Sequence, residues 1–190
     1  MVRLFNVSWN YYLAVPEFQL GTDHRADFLI LSADSGRWHA VFVELEGPND
    51  RIYLKNGLPS KQLRAAQKQL DDWQRFVCGR TDQIKQEIAK VLKPRLICAQ
   101  NRLMSCGGYA HDEIVHPDVF LHHQYKIVIG RRSSFVNEPT HHMPAPGCGY
   151  SWQVSTYDRI YDFLADQEEN KYVKELNRYL SCDDKRCEYS

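Results

Sequence analysis

The chain has 190 residues, 43% of them hydrophobic and 12% aromatic, with 24 basic and 24 acidic side chains that cancel to a formal net charge of +0. That is ordinary globular composition, enough for one domain with a full core, and it holds no apolar run near the ~20 residues a membrane helix needs. A neutral chain has no bulk attraction for a polyanion, so any nucleic-acid partner must be held by a local patch.

The segment Met1-Val2-Arg3-Leu4-Phe5-Asn6 lacks the apolar core of a leader peptide, which makes the cytoplasm the expected compartment. The six cysteines (Cys78, Cys98, Cys106, Cys148, Cys182, Cys187) form no CxxC pair and are expected there as free thiols. Residues 1–180 are expected to form a single domain, and 181–190 a polar tail.

In chain order, residues 1–20 mix aromatic and apolar side chains (Phe5, Trp9, Tyr11, Tyr12, Leu13, Val15) up to the break at Pro16, and predict an edge strand or a short helix packed on a sheet. Glu17 is expected at the surface. The turn Gly21-Thr22-Asp23 leads into a strand carrying Asp27 (Ala26 to Leu31). Ala33-Asp34-Ser35-Gly36 has the content of a hairpin turn, and a second strand follows from His39 to Glu46, closed by Gly47-Pro48.

Side chains alternate along that second strand, so Val41, Val43 and Leu45 share one face and Phe42, Glu44 and Glu46 the other, the two carboxylates roughly 7 Å apart. Paired antiparallel, the two strands bring Asp27 near the level of Glu44. The match is approximate: about seven residues separate the first, and about nine the second, from the turn centre.

Asn49 to Pro59 is a polar loop long enough to be a flap beside these acids. Ser60 is a candidate N-cap, after which Leu63, Ala66, Leu70, Trp73 and Val77 recur at helical spacing until Gly79. Gln69 lies beside that stripe, one turn before Trp73. Lys61, Arg64, Lys68 and Arg75 occupy another face, as a solvated helix surface or as a row of phosphate contacts.

Thr81-Asp82 is expected to cap a second amphipathic helix (Ile84, Ile88, Val91, Leu92), stopped by Pro94, with Arg95 to Ala99 as a strand. Residues 101–123 carry no clear pattern. Tyr125 to Ile129 is a continuous apolar run ending at Gly130-Arg131-Arg132, a strand covered on both faces. Residues 133–150 are expected to be a loop, Trp152 to Val154 a short strand, and Thr156-Tyr157-Asp158 the start of a C-terminal helix carrying Ile160, Phe163, Leu164, Val173 and Leu176.

Carboxylates converging from adjacent strands are hard oxygen ligands of the kind that suits Mg²⁺ or Mn²⁺, and phosphodiester hydrolysis fits that equipment. The bland alternative has Asp27 capping a turn and Glu44 and Glu46 paired with Lys or Arg at the sheet's end.

The ordered segments Arg25-Ala26-Asp27-Phe28-Leu29, Phe42-Val43-Glu44-Leu45-Glu46-Gly47-Pro48, Gln69-Leu70-Asp71-Asp72-Trp73, Ile127-Val128-Ile129-Gly130-Arg131-Arg132 and Thr156-Tyr157-Asp158 resemble the motifs of the Shedu-type anti-phage nuclease domain, a branch of the PD-(D/E)XK superfamily. The resemblance covers roughly residues 20 to 165. It implies an α/β, restriction-endonuclease-like fold with a central mixed sheet of about five strands flanked by helices, supported by the strand-strand-helix order of residues 26–77. It also implies Asp27 and Glu44 as divalent-metal ligands, Gln69 as the helix residue of the site, DNA as substrate, and a role in phage defence, often within an oligomer; a domain of this size has little room for a sensor, so oligomerisation or a separate sensor protein is expected.

Two departures stand out. Ala26 replaces the proline that commonly precedes the first acid, and Glu46 stands where the E-x-K motif carries lysine. Glutamate can accept a proton or bind metal but supplies no positive charge. Glu46 is therefore a further metal ligand, or Lys68 or Lys61 reaches in from the helix, or the domain binds DNA or a partner protein without cutting it.

Arg131 and Arg132, with Lys126, are candidates for phosphate contacts; alternatively Arg131 neutralises Glu44 or Asp158. The histidines His111, His116, His122, His123, His141 and His142 with Cys106 and Cys148 do not match compact zinc spacing and are expected at the surface. No Gly-x-Ser-x-Gly or phosphate-cradling Gly-rich motif is present, and Ser105-Cys106-Gly107-Gly108 is expected to be a loop.

Overall fold

The computed structural model describes residues 11–34, 37–100, 114–134 and 152–162. Five strands form one mixed sheet in the order β1 (Tyr11–Leu20), β2 (His24–Asp34), β3 (Arg37–Leu45), β4 (Phe120–Val128) and β5 (Trp152–Ser155). The first three meander antiparallel, and β4 and β5 add on parallel to β3 and to each other. The parallel step from β3 to β4 requires a crossover, which holds α1 (Lys61–Gly79) and α2 (Thr81–Gln100). The α/β class, the mixed sheet and its strand number are as the sequence predicts, and residues 1–20 resolve, from Tyr11, into an edge strand.

Alternation divides the sheet into two apolar faces. Phe42, Ala40 and Trp38 of β3, with Tyr125 and Ile127 of β4, pack under the stripe Leu63, Ala66, Leu70, Trp73 and Val77 of α1 and under Ile84, Ile88 and Leu92 of α2. Ile30, Val41, Val43 and Val128 form the opposite face, against Tyr157 and Ile160 of the short helix α3 at 157–162. Ile127 and Val128 are thus buried on opposite sides, as the unbroken apolar run predicts.

Ser60 caps α1 with its hydroxyl oxygen accepting from Leu63 N at 3.1 Å, while its own amide donates to Ile52 O at 2.9 Å. Ser60→Ala is expected to lower stability by about 1 kcal/mol, read as a lower melting midpoint with an unchanged far-ultraviolet spectrum.

Three expectations are corrected. Helix α2 runs through Pro94 to Gln100, so Arg95 to Ala99 is helix, not strand. Proline costs one helical hydrogen bond and crowds the carbonyl four residues back, but its ring already sets a helical φ, so a long helix can carry it as a kink. Thr81 does not cap α2 from its side chain: its hydroxyl donates to Val77 O at 3.1 Å and closes α1. Strand β4 starts at Phe120, five residues before the apolar run.

Among the described residues no helix is long and apolar enough to cross a membrane. The expectations for residues 1–10, 101–113, 135–151 and 163–190, the polar tail and most of the C-terminal helix included, lie outside the described residues.

Candidate functional site

The β2–β3 register runs without slip from Asp34↔Arg37 to Phe28↔Val43, where the pairing ends, and Asp27 and Glu44 are the next residues of the two strands. The hairpin is centred one residue later than its turn content predicts, which puts each acid one residue past the last pair. The ladder ends there because the Asp27 carboxylate, rather than a main-chain carbonyl, takes the Leu45 amide, at 2.7 Å.

The cause lies in the strands. The core residues are Val15, Phe18 and Leu20 in β1 and Ala26, Leu29 and Leu31 in β2, so both strands skip a beat at the same level while their pairing stays in register. At that level Glu17 has φ 50, the left-handed region that non-glycine residues seldom occupy. The skipped beat turns Asp27 to the edge of its neighbour instead of into either face. Glu17 itself is exposed and pairs with Arg25 at 3.7 Å, a surface contact as expected.

Glu44 lies on the helix-covered face of β3. Its carboxyl is pushed up to about 8, first by burial, then by the negative charges of Asp27 and Glu46, while a hydrogen bond to the Gln69 side chain and the charge of Arg25 pull it back. Asp27 and Glu46 thus lie close enough for their charges to act on Glu44, and the Gln69 side chain lies within reach of its carboxyl.

Glu46 sits just past the end of β3. Its amide donates to Val128 O at 2.8 Å and its carbonyl accepts from the Tyr157 hydroxyl at 2.8 Å, so its backbone is tied to β4 and to α3. Burial raises its carboxyl, with help from Asp50 and Asp27. The Tyr157 hydroxyl is raised as well, by burial and then by the charges of Asp27 and Glu46.

Two participants escaped the sequence reading. Asp50 accepts from Gly47 N at 2.9 Å and adds a fourth negative charge to the group. Arg25 is the cation whose field reaches Glu44. A polar loop makes an aspartate look ordinary, and an arginine before the first acid looks like a strand end; the signal for Arg25 was its place two residues from Asp27.

Arg25 also lines an open cleft of about 560 Å³ with Asp23, His24, Lys68, Gln69, Asp72 and Trp73. Gln69, which bonds Glu44, lines this cleft, while Asp27, Glu44 and Glu46 are not among its lining residues. Lys68 is an exposed wall of this cleft, and Lys61 is exposed at the start of α1.

Arg131 and Arg132 are engaged elsewhere. Arg131 pairs with Asp158 at 2.9 Å and lies over the Tyr161 ring at 5.1 Å, and Arg132 pairs with Asp162. Of the two roles open to Arg131, the ion pair with Asp158 is the contact present. Lys126 is buried, its ammonium pushed down to about 8 chiefly by desolvation. It alternates with Tyr125 and Ile127, which face the helices, and so belongs to the opposite face from Glu44.

His122 and His123 are not surface residues. They are half-buried on β4, His122 against the His39 ring at 5.4 Å and His123 within 3.5 Å of Cys78 Sγ.

Among the described residues no three His, Cys, Asp or Glu side chains stand as a metal-binding group. The three acids expected to meet do not stand as one ligand group; Asp27 and Glu44 are the carboxylate set left to consider, with Glu46 and Asp50 as neighbouring charges. That set fits a hard divalent cation: Mg²⁺ is commonly held by one or two carboxylates, with water and substrate phosphate completing its shell. Like charges gathered in a half-buried space are the condition such a cation relieves.

A family model described as "Shedu protein SduA, C-terminal" matches residues 3–161. No curated protein and no solved structure matches the chain.

Proposed function

Because the chain belongs to the Shedu protein SduA C-terminal family, we propose that it serves in a Shedu-type anti-phage system as a Mg²⁺- or Mn²⁺-dependent DNA endonuclease with a restriction-endonuclease-like site. The observation that supports this reading is the crowding of Asp27 and Glu46 charge on the half-buried Glu44, just past the end of the β2–β3 pairing, with Gln69 bonded to Glu44 and lining a cleft.

When bound, the metal supplies polarisation of the phosphodiester and a water of lowered pKa. Asp27 and Glu44 would hold it, with Asp27 fixed in place by the Leu45 amide. Gln69 orients Glu44. Glu46, whose carboxyl burial makes more basic than usual, accepts a proton from the attacking water. Arg25, whose charge reaches Glu44 from the strand rather than from the E-x-K position, would supply positive charge that the motif lysine brings elsewhere.

The cytoplasm, a homo-oligomer and a sensing partner belong to the same proposal. A second reading, a module that binds DNA or a partner protein without cutting, is favoured by the carboxylate at Glu46 and by a set of two metal ligands.

Plasmid nicking with and without Mn²⁺ separates the two. Wild type is expected to nick only with the metal, and Asp27→Ala to lose both the nicking and the heat of Mn²⁺ binding in calorimetry. Wild type with neither metal binding nor nicking overturns the nuclease reading and leaves the binding module.

A further inference from the structure

Residues 51–70 carry Arg51, Lys55, Lys61, Arg64 and Lys68 and no acid, a local excess of positive charge in a chain whose other residues carry more acids than bases. All five cations are exposed. Within this stretch stands a constrained hairpin. Tyr53 bridges Pro59, Leu54 N donates to Leu58 O at 2.8 Å, Gly57 N donates to Leu54 O at 2.9 Å, and Leu58 N is held by the Asn56 side chain at 3.2 Å.

Gly57 makes the turn in the left-handed region, φ 76. The base of the hairpin is anchored: Ile52 is fully buried, its carbonyl takes the Ser60 amide at the start of α1, and the preceding Asp50 holds Gly47 beside Glu46. The hairpin therefore rises rigidly between the acidic turn and the cationic start of α1. At its tip Leu54 is 38% and Leu58 54% exposed. A tight turn needs no leucine, and two on a rigid tip leave apolar area in water that burial would recover at about 25 cal/mol per Å².

We propose that this hairpin is a wedge for duplex DNA: Leu54 and Leu58 enter between bases and unstack a step next to the acidic site, while Arg51, Lys55, Lys61, Arg64 and Lys68 hold the flanking phosphates. Apolar side chains flanked by cations are the equipment with which proteins part stacked bases and hold the distorted backbone, whereas a purely phosphate-binding surface has no use for leucine. The charge pattern selects a polyanion as occupant, and the leucines select one with an apolar stack to enter. This rests on DNA as the substrate, deepens that reading, and is independent of whether cleavage occurs.

The test is binding of the full chain, in EDTA, to a duplex carrying 2-aminopurine, alongside the Mn²⁺-dependent nicking assay. Wild type is expected to raise the fluorescence at saturation. Leu54→Ala with Leu58→Ala is expected to abolish the rise while leaving the salt dependence of binding unchanged; both side chains are exposed, so the melting midpoint should stay at the wild-type value. Lys55→Ala with Lys61→Ala is expected to keep the rise at saturation and to reduce the slope of log affinity against log salt by about 2.

The wedge is overturned if the duplex does not bind, if it binds without a fluorescence rise, if the leucine variant distorts it as wild type does, or if an acidic polypeptide competes as well as DNA. Loss of nicking with the fluorescence response intact sinks the nuclease reading alone.

Discussion

Raising the pH through the neutral range in EDTA is expected to destabilise the wild-type protein, and adding Mn²⁺ to reverse the loss. Glu44 is held at about 8, well above the ordinary carboxylate value of 4.5 that it regains on unfolding. Between those values the folded state binds more protons than the unfolded one, so stability falls as pH rises and is fully relieved of this penalty only below about 4.5. The penalty comes from ionising a half-buried carboxylate beside Asp27 and Glu46, and a divalent cation removes it by binding the ionised form.

Thermal midpoints measured from pH 5 to 9 with and without Mn²⁺ would read this directly. Glu44→Gln is expected to flatten the metal-free pH dependence, to abolish the Mn²⁺ response and to lower nicking by more than about 100-fold, beyond the 10–100-fold that loss of outer support to a metal costs. Glu46→Gln takes away one of the neighbouring charges and is expected to move the steep part of the metal-free curve to lower pH. A wild-type midpoint that rises with pH across the same range, or one indifferent to Mn²⁺, would contradict both the charge crowding and the metal site.

Asp27, Glu44 and Gln69 were legible because each departs from a pattern: two acids interrupt apolar alternation at strand ends, and an amide flanks an apolar helical stripe. Asp50 and Arg25 broke no pattern, since polar loops and strand ends hold charges routinely, and only folding brings Asp50 near Glu46 and Arg25 near Glu44. The start of β4 was hidden for a related reason. His122, His123 and Gln124 do not look apolar, yet His123 lies on Tyr125 at 5.7 Å and His122 on His39, so their rings serve as packing surface. Pro94 misled because the proline rule weighs one lost hydrogen bond locally, while the part of α2 before the proline is already seated in the core by Ile84, Ile88 and Leu92.

Gly130→Ala is expected to give the largest structural effect of any single methyl group near the site. Gly130 has φ 62, and a Cβ there would lie 2.5 Å from the Asp50 carbonyl oxygen and 3.2 Å from Ile52 Cγ1. Its amide donates to Gly47 O and its carbonyl accepts from Tyr157 N, both at 3.1 Å, so the glycine joins the turn carrying Glu46 and Asp50 to α3. The left-handed conformation alone costs an alanine about 1–2 kcal/mol, and relief of a clash with backbone requires the 47–52 turn to lift. In a chain of this size that corresponds to a midpoint lower by roughly 4 °C or more.

The same displacement should reach the chemistry, because lifting Asp50 takes one negative charge away from Glu46 and moves the base of the hairpin. Gly130→Ala should therefore weaken the Mn²⁺ response as well as the fold. Gly79→Ala is the matched control: a Cβ at Gly79 meets nothing within 4 Å, so the added methyl should be neutral or slightly stabilising at the end of α1. Equal midpoints for the two variants would mean that the acidic turn is not seated on Gly130, and the rigid base assigned to the hairpin would fail with it.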